Sequence, residues 1–315
     1  MRVLFAGSPA LGVPSLEAVA QRHRVCGVLT NPDRPGGRGN RPTATPVKLK
    51  ALELGLPVLQ PGKLDPAFMA EVKLLAAEIL VVAAFGTIFR REFLELFPRG
   101  GINLHPSLLP KYRGMSPIPA VILAGEKETG VTIQRLALKL DSGEILASER
   151  VELDGTETTS SLSGRLSRLG AGLLASTLEA IAAGVARGRV QDESEATYCG
   201  AVKKEQGRID WKAPAETIER MIRAFDPWPR VYTHWKGRQL CLHQGSVYPL
   251  ERSAAGRSEG LVFGVDNRYG ILVQTGEGVL AIRRLQLQAK REMDWRAFLN
   301  GNRDFVGSAL GGMND

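Results

Sequence analysis

Cysteine is scarce in this 315-residue chain: Cys26, Cys199 and Cys241 stand far apart. That spacing excludes a disulfide framework and a zinc-type cysteine cluster, and it leaves reduced thiols as the reading. No apolar stretch approaches the roughly twenty residues a membrane span needs. The longest, Ile79 to Phe85, has the length of a buried strand. Met1-Arg2-Val3-Leu4-Phe5 enters a strand-like run directly, so no signal or transit segment and no membrane association are expected, and the expected location is cytoplasmic. Gly7-Ser8-Pro9-Ala10-Leu11-Gly12 lacks both G-x-G-x-x-G spacing and a phosphate-loop lysine, which argues against NAD or ATP. Acid is in deficit: 33 Asp and Glu face 41 Lys and Arg, a net charge of +8. A basic balance suits a polyanionic partner without requiring one. The excess is not segregated, because from Glu205 onward 16 basic residues stand against 13 acidic ones.

What is present reads as two domains. Apolar runs at Arg2–Ala6, Val25–Thr30, Ile79–Phe85, Gly101–His105 and Val131–Ala137 alternate with helical patterns at 13–20, 46–54 and 68–76. Alternation of this kind predicts a mostly parallel sheet with helices on both faces, a Rossmann-like α/β domain over residues 1–186 that ends with a long helical pattern from Thr158 to Ala183. Residues 187–207 are polar and mixed, and read as a linker. From 208 to 315 a helix at 215–225 precedes five short strand patterns and a terminal helix at 293–299. That spacing suggests a small β-barrel or sandwich.

Four features carry chemistry. The Gly7–Gly12 turn either packs strand against helix or lines a ligand, and the residues leave both open. Asn31 to Pro46 holds four prolines, three glycines and Arg34, Arg38 and Arg41, with Asp33 as its only acid. An irregular segment of this kind is either a solvated loop or a phosphate-binding one. Asn103 and His105 stand two apart on an extended run, so their side chains face one way, where the strand passes into a proline-bound loop. An amide donor beside an imidazole can stabilise an oxyanion while the imidazole handles a proton. Asp141, in Leu140-Asp141-Ser142-Gly143, is either a turn former or the acid that orients and charges His105.

Asn103-Leu104-His105, Ser107-Leu108-Leu109-Pro110 with Lys111-Tyr112-Arg113-Gly114, and Leu140-Asp141-Ser142-Gly143 together resemble the 10-formyltetrahydrofolate-dependent formyltransferases. Pro32 to Gly39, Arg208-Ile209-Asp210-Trp211 and Arg223 to Pro229 resemble segments of the methionyl-tRNA branch of that superfamily, and the likeness runs nearly end to end. The resemblance implies a Rossmann-like catalytic domain, a linker and a C-terminal barrel of oligonucleotide-binding type. It implies formyl transfer from 10-formyltetrahydrofolate to initiator methionyl-tRNA, by a monomer and without a metal. Asn103, His105 and Asp141 become the catalytic set. Ser107, Leu108, Leu109 and Pro110, with Val82, Ala84, Phe85 and Gly86, become the folate site. Arg34, Arg38 and Arg41, with Lys203 and Lys204, become tRNA contacts. Ala10 and Leu11 depart from the branch pattern, so Leu11 is expected to wall the methionyl pocket where the branch has Phe, and Ala201 stands where the branch often has lysine. Formyltransferases acting on glycinamide ribonucleotide or sugar nucleotides, the hydrolase part of formyltetrahydrofolate dehydrogenase, and a non-catalytic RNA-binding module are the competing readings.

Overall fold

The computed structural model describes residues 1–36, 41–249 and 256–311. The chain divides into two compact units, one of residues 1–117, 128–153 and 161–200, the other of 118–127, 154–160 and 201–315.

The first unit is built on a seven-stranded sheet. Its strands are β1 (Arg2–Gly7), β2 (Arg24–Leu29), β3 (Val58–Leu59), β4 (Ile79–Ala83), β5 (Gly101–His105), β6 (Glu128–Arg135) and β7 (Ile145–Glu152). The order across the sheet is β7-β6-β5-β4-β1-β2-β3. β1 to β5 run parallel; at one edge β6 pairs antiparallel with β5, and β7 antiparallel with β6. The chain reverses its direction of growth between β1 and β4. The crevice beyond their carboxyl ends is the usual place for a ligand in an open α/β sheet.

Side-chain alternation assigns each strand residue to one of two cores. Val3, Phe5, Val81, Ile102 and Leu104 join one apolar cluster, and Leu4, Ala6, Leu80 and Val82 the other. Asn103 and His105 alternate with Ile102 and Leu104, so they lie on the second face, and Asn103 pairs directly with Val82. Four phenylalanines spaced four apart extend that second core: Phe85, Phe89, Phe93 and Phe97, with successive ring centroids 5.7, 5.2 and 5.6 Å apart.

The first face is sealed by the helix Thr159–Ala182, whose buried stripe includes Leu162, Leu166, Gly170, Leu174 and Leu178. A methyl group on Gly170 would lie 2.5 Å from Leu104 Cδ1, so the glycine sets how closely the helix approaches β5. Thr45 and Asp65 cap the helices Pro46–Glu53 and Pro66–Leu74 by accepting from Lys48 N and Phe68 N. Gly7 and Gly12 both crowd the Ala83 carbonyl, where an added Cβ would come within 2.7 and 2.8 Å. The Gly7–Gly12 turn is therefore a device for packing β1, the following 3₁₀ turn and β4 together.

Several boundaries differ from the pattern reading. β4 stops at Ala83, because Ala84 adopts a left-handed φ of 56°. The antiparallel edge strand β7 and the helix Pro117–Ala124 carry no clear periodic signal. Residues 34–36 and 41–43 form a short antiparallel ladder rather than an irregular stretch. The segment read as a linker is bound into the first unit as far as Gly200: Tyr198–Cys199 runs parallel to Arg113–Gly114. Gly114 has φ 121°, and a Cβ there would lie 2.1 Å from the Cys199 carbonyl oxygen.

The second unit holds an antiparallel sheet of β8 (Val231–Trp235), β9 (Arg238–Val247), β10 (Val262–Asp266), β11 (Gly270–Gln274) and β12 (Val279–Leu287), in the order β8-β9-β12-β11-β10. The expected terminal helix is shorter, Trp295–Asn300, because Met293–Asp294 pairs with β12 instead. Phe305 meets Trp235 and Phe298 edge-on at its core, and buried Trp211 donates to Thr233 Oγ1 at 3.0 Å. Trp211 is thus an anchor of this unit. Among the described residues no helix is long and apolar enough to cross a membrane.

Two substitutions test this packing. Gly170→Val is expected to cost about 1–3 kcal/mol by overpacking, which is a fall in Tm of about 2–4 °C per kcal/mol for a domain this large. Gly114→Ala combines steric overlap with left-handed strain and is expected to cost more, about 2–4 kcal/mol. Thermal and denaturant midpoints within error of the parent would refute the close approaches at Leu104 and Cys199.

Candidate active site

β5 delivers Asn103 and His105 to the carboxyl edge of the sheet, and the turn after β6 returns Asp141 to them. His105 is buried, with 4% of its side chain exposed, and Asp141 is nearly so at 10%. His105 Nε2 lies 2.8 Å from the Tyr112 carbonyl oxygen. A carbonyl only accepts, so Nε2 carries a hydrogen, and in the neutral ring Nδ1 is the bare nitrogen. Nδ1 faces Asp141 Oδ2 at 3.6 Å, beyond a hydrogen bond but within ion-pair reach. The orienting bond on the imidazole therefore comes from a backbone carbonyl, and Asp141 supplies charge beside the other nitrogen.

The Asp141 carboxylate is itself held by three stretches of chain. Gln134 Nε2 donates to Oδ1 at 2.8 Å and the Gly114 backbone N–H to Oδ2 at 2.9 Å. Asn103 Nδ2 reaches Oδ1 at a long 3.4 Å. Asp141 sits at a left-handed φ of 47°, an uncommon conformation for a residue with a Cβ. Its turn closes tightly, since a Cβ on Gly143 would lie 1.8 Å from the Arg135 carbonyl oxygen.

Behind the turn lies a network that sequence reading missed. Arg113 has no exposed surface, and its guanidinium donates to Gln191 Oε1 through Nε (3.1 Å) and Nη2 (2.9 Å). It also bonds Glu193 at 2.7 Å and the Tyr198 hydroxyl at 3.1 Å. The hydrogen bond from Arg113, with a second from Lys139, lowers the Glu193 carboxyl to about 2. Gln191 Nε2 donates to the carbonyls of Asp141 (2.9 Å) and Gly143 (2.7 Å). The only signals in the sequence are a basic residue inside Lys111–Gly114 and a glutamine in a polar stretch. Neither reveals a partner without the fold.

The expected folate residues divide by accessibility. Ser107 is fully buried; its hydroxyl donates to Lys111 O at 2.7 Å, and its carbonyl accepts from Thr132 Oγ1 at 2.7 Å. It shapes the loop rather than offering a side chain to a ligand. Leu109, Pro110, Val82 and Phe85 are also buried, whereas Leu108 and Ala84 are partly exposed and Gly86 is exposed. Asn31 Nδ2 holds the Phe85 carbonyl at 3.3 Å, which ties the second strand's exit to this crevice. Leu11 is partly buried and packs on the core cluster beneath β1.

Of the expected tRNA contacts, Arg34 is exposed at the base of the short ladder, Arg41 lies in its return strand, and Arg38 falls outside the described residues. The Asp33 carboxylate accepts from Gln60 and Lys48 at 2.8 and 2.7 Å, and those bonds lower its pKa. Lys203 and Lys204 are exposed, in the second unit. Among the described residues no three His, Cys, Asp or Glu side chains gather as a metal-holding group.

Residues 1–178 match the family model described as formyl transferase, and residues 201–303 match the formyl transferase C-terminal domain. A methionyl-tRNA formyltransferase of Treponema denticola is 43% identical, over 97% of this chain and 98% of the relative. Another, from Chloroflexus aggregans, is 47% identical over 96% and 97%. Solved structures share the fold at lower identity. An N-formyltransferase from Helicobacter canadensis, solved with folinic acid and dTDP-3-aminofucose, has a TM-score of 0.66 at 18% identity, covering 92% of this chain and 99% of its own. HypX from Aquifex aeolicus, solved with tetrahydrofolic acid, has a TM-score of 0.63 at 15% identity; this chain covers 48% of that protein's length, and 97% of this chain is matched. A methionyl-tRNA formyltransferase from Clostridium thermocellum has a TM-score of 0.54 at 18% identity, with 79% and 94% covered. With family models matched in both units and relatives above 40% identity along nearly the whole length, the chain belongs to the formyl transferase family, among the methionyl-tRNA formyltransferases.

Proposed function

We propose that this chain transfers the formyl group of 10-formyltetrahydrofolate to the α-amine of methionyl initiator tRNA, acting as a cytoplasmic monomer. The observation that carries the reading is the meeting of Asn103, His105 and Asp141 at the carboxyl edge of β5, in a chain that aligns over 96% of its length with a methionyl-tRNA formyltransferase. The formyl carbon on N10 of the folate is the electrophile.

Asn103 spends one amide hydrogen, at 3.4 Å, on Asp141, and its second is available to an oxygen in the crevice. His105, anchored through Nε2, presents Nδ1 beside the Asp141 carboxylate. As the amine nitrogen bonds to the formyl carbon, the carbonyl oxygen gains negative charge, and Asn103 and protonated His105 donate to it. The bond from N10 to that carbon then breaks. The attacking nitrogen gives up a proton and N10 gains one, with His105 and Asp141 as the nearby groups able to relay it. Donors already aimed before the reaction cost no reorganisation during it. Leu108, Ala84 and Gly86 offer the partly exposed apolar and backbone surface that a flat pterin ring fits. Leu11 walls the methionyl side chain, and Arg34, Arg38, Arg41, Lys203 and Lys204 meet phosphates.

Sugar-nucleotide formylation is the competing reading, because the Helicobacter canadensis enzyme has this fold and was solved with an amino-sugar nucleotide. The basic ladder around Arg34 and Arg41 and the 43–47% identity to methionyl-tRNA enzymes favour the tRNA. An assay offering methionyl-tRNA, glycinamide ribonucleotide and dTDP-amino-sugar side by side decides, and formylation of either small acceptor in preference to tRNA would overturn the proposal.

His105→Ala and Asn103→Ala are each expected to lower kcat by about a hundred- to a thousandfold, with tRNA affinity within about twofold of the parent in a filter-binding titration. Near-normal turnover of either variant would remove it from the mechanism. Affinity for tRNA is expected to fall steeply and linearly on a log–log plot against salt. Arg38→Ala is expected to weaken binding and flatten that slope. A salt-independent Kd would rule out a phosphate-dominated interface.

A further inference from the structure

Two loops hold the groups just assigned to catalysis, and one side chain joins them. The loop at 112–114 supplies the Tyr112 carbonyl that anchors His105 and the Gly114 N–H that binds Asp141. The turn at 141–143 supplies Asp141 itself, at a left-handed φ. Gln191 lies between them with 5% of its surface exposed. Its orientation is fixed by its partners. The Arg113 guanidinium can only donate, so Oε1 must face it, and Nε2 must then face the Asp141 and Gly143 carbonyls. Gln134 Oε1, 3.3 Å from Nε2, is a further acceptor, and Gln134 is the residue that donates to the Asp141 carboxylate. Every polar site of the Gln191 amide is thus committed. It has a donor-only group on one side and acceptors on the other, an arrangement that no charged side chain of similar size could satisfy.

Resting on the reading of Asn103, His105 and Asp141 given above, we propose that Gln191, backed by Arg113, is a positioning residue for formyl transfer. It holds the Asp141 turn in register with the loop that anchors His105, so that Nδ1 and the carboxylate keep their separation during turnover. Arg113 is the support: buried, with its charge offset by Glu193 at the surface, and with its backbone N–H bonded to Thr197 O at 2.8 Å in the segment that carries Gln191. Gln191 touches neither His105 nor the Asp141 carboxylate, so its effect on the reaction passes through Asp141.

Two substitutions separate positioning from bulk stability. Gln191→Glu keeps the pairing with Arg113 but sets oxygen against the Asp141 and Gly143 carbonyls. Gln191→Met keeps the volume and loses both connections. Each is expected to lower kcat about ten- to a hundredfold, with KM for methionyl-tRNA and for 10-formyltetrahydrofolate within twofold. The decisive readout is a double-mutant cycle with Asp141→Asn. Once the carboxylate is gone there is nothing left to position, so adding Gln191→Glu to Asp141→Asn is expected to cost less than a further twofold in kcat. Losses that multiply, or single variants within twofold of the parent, would overturn the proposal. Should the Gln191 variants not yield folded protein, Arg113→Lys asks the same question. Lysine cannot fork onto Gln191 Oε1, and a kcat lowered less than twofold would overturn the proposal equally. His105→Ala run alongside tells the two failures apart. If it keeps turnover, the site reading falls; if it loses turnover while the Gln191 and Arg113 variants do not, only the positioning role falls.

Discussion

The carboxylate of Asp141 is the point on which the first unit converges. Its donors come from β6 through Gln134, from the loop after β5 through Gly114, and from β5 itself through Asn103. A buried carboxylate is tolerated only when such donors offset its lost hydration. Here each donor is also a structural commitment. Gly114 must be glycine to approach the Cys199 carbonyl, and Gly143 must be glycine to approach that of Arg135. The conformation of Asp141 is unfavourable in isolation and persists because the surroundings over-determine it. In the proposed mechanism chemistry and packing share the same few atoms, because the Gly114 N–H binds the Asp141 carboxylate and the Tyr112 carbonyl two residues before it holds the imidazole.

The sheet plays a simpler part. β5 is a divider: Ile102 and Leu104 face the core sealed by the long helix, and Asn103 and His105 face the other way. Period-two alternation means that no register slip can keep both sets in place. Gly170 lets the helix lie close to Leu104, and burial of that apolar face secures the side of the strand opposite Asn103 and His105. On the face of Asn103 and His105, the phenylalanine ladder from Phe85 to Phe97 fills the volume beside Val82. An apolar wall is thereby placed next to the polar pair, and a low local dielectric strengthens any interaction with developing charge.

Much of this architecture was legible in the chain. The boundaries of β5 fell where the apolar run met Pro106, and the second helix began at Pro46 as read, whereas the third, read from Phe68, begins two residues earlier at Pro66 behind its Asp65 cap. β7 was not legible, because Ser148, Glu149, Arg150 and Glu152 break the apolar alternation of an exposed edge strand. The helix Pro117–Ala124 was hidden by two prolines and by being apolar on every side, which leaves no period to detect. Asn103, His105 and Asp141 could be grouped through the resemblance alone, since by residue type Asp141 read equally as a turn former. Gln134 and Gln191 could not, since a neutral amide shows neither charge nor spacing, and its role exists only in the partners the fold assigns to it. The Gly7–Gly12 turn had two readings in the sequence, and the Ala83 carbonyl favours packing.

Arg113 also bears on how the molecule could be divided. A guanidinium with no exposed surface draws its compensation from Gln191, Glu193 and Tyr198, all of them beyond the long helix with which the alternating strand-and-helix pattern ends. A fragment ended at residue 186 would take away Gln191, Glu193 and Tyr198 together, and with them every side-chain partner named here for the guanidinium. It would also release the Asp141 turn from the one amide that ties it to Arg113. The polar stretch up to Gly200 is a strap that belongs to the first unit, and an exchange of this chain's C-terminal module would have to splice after it, not before.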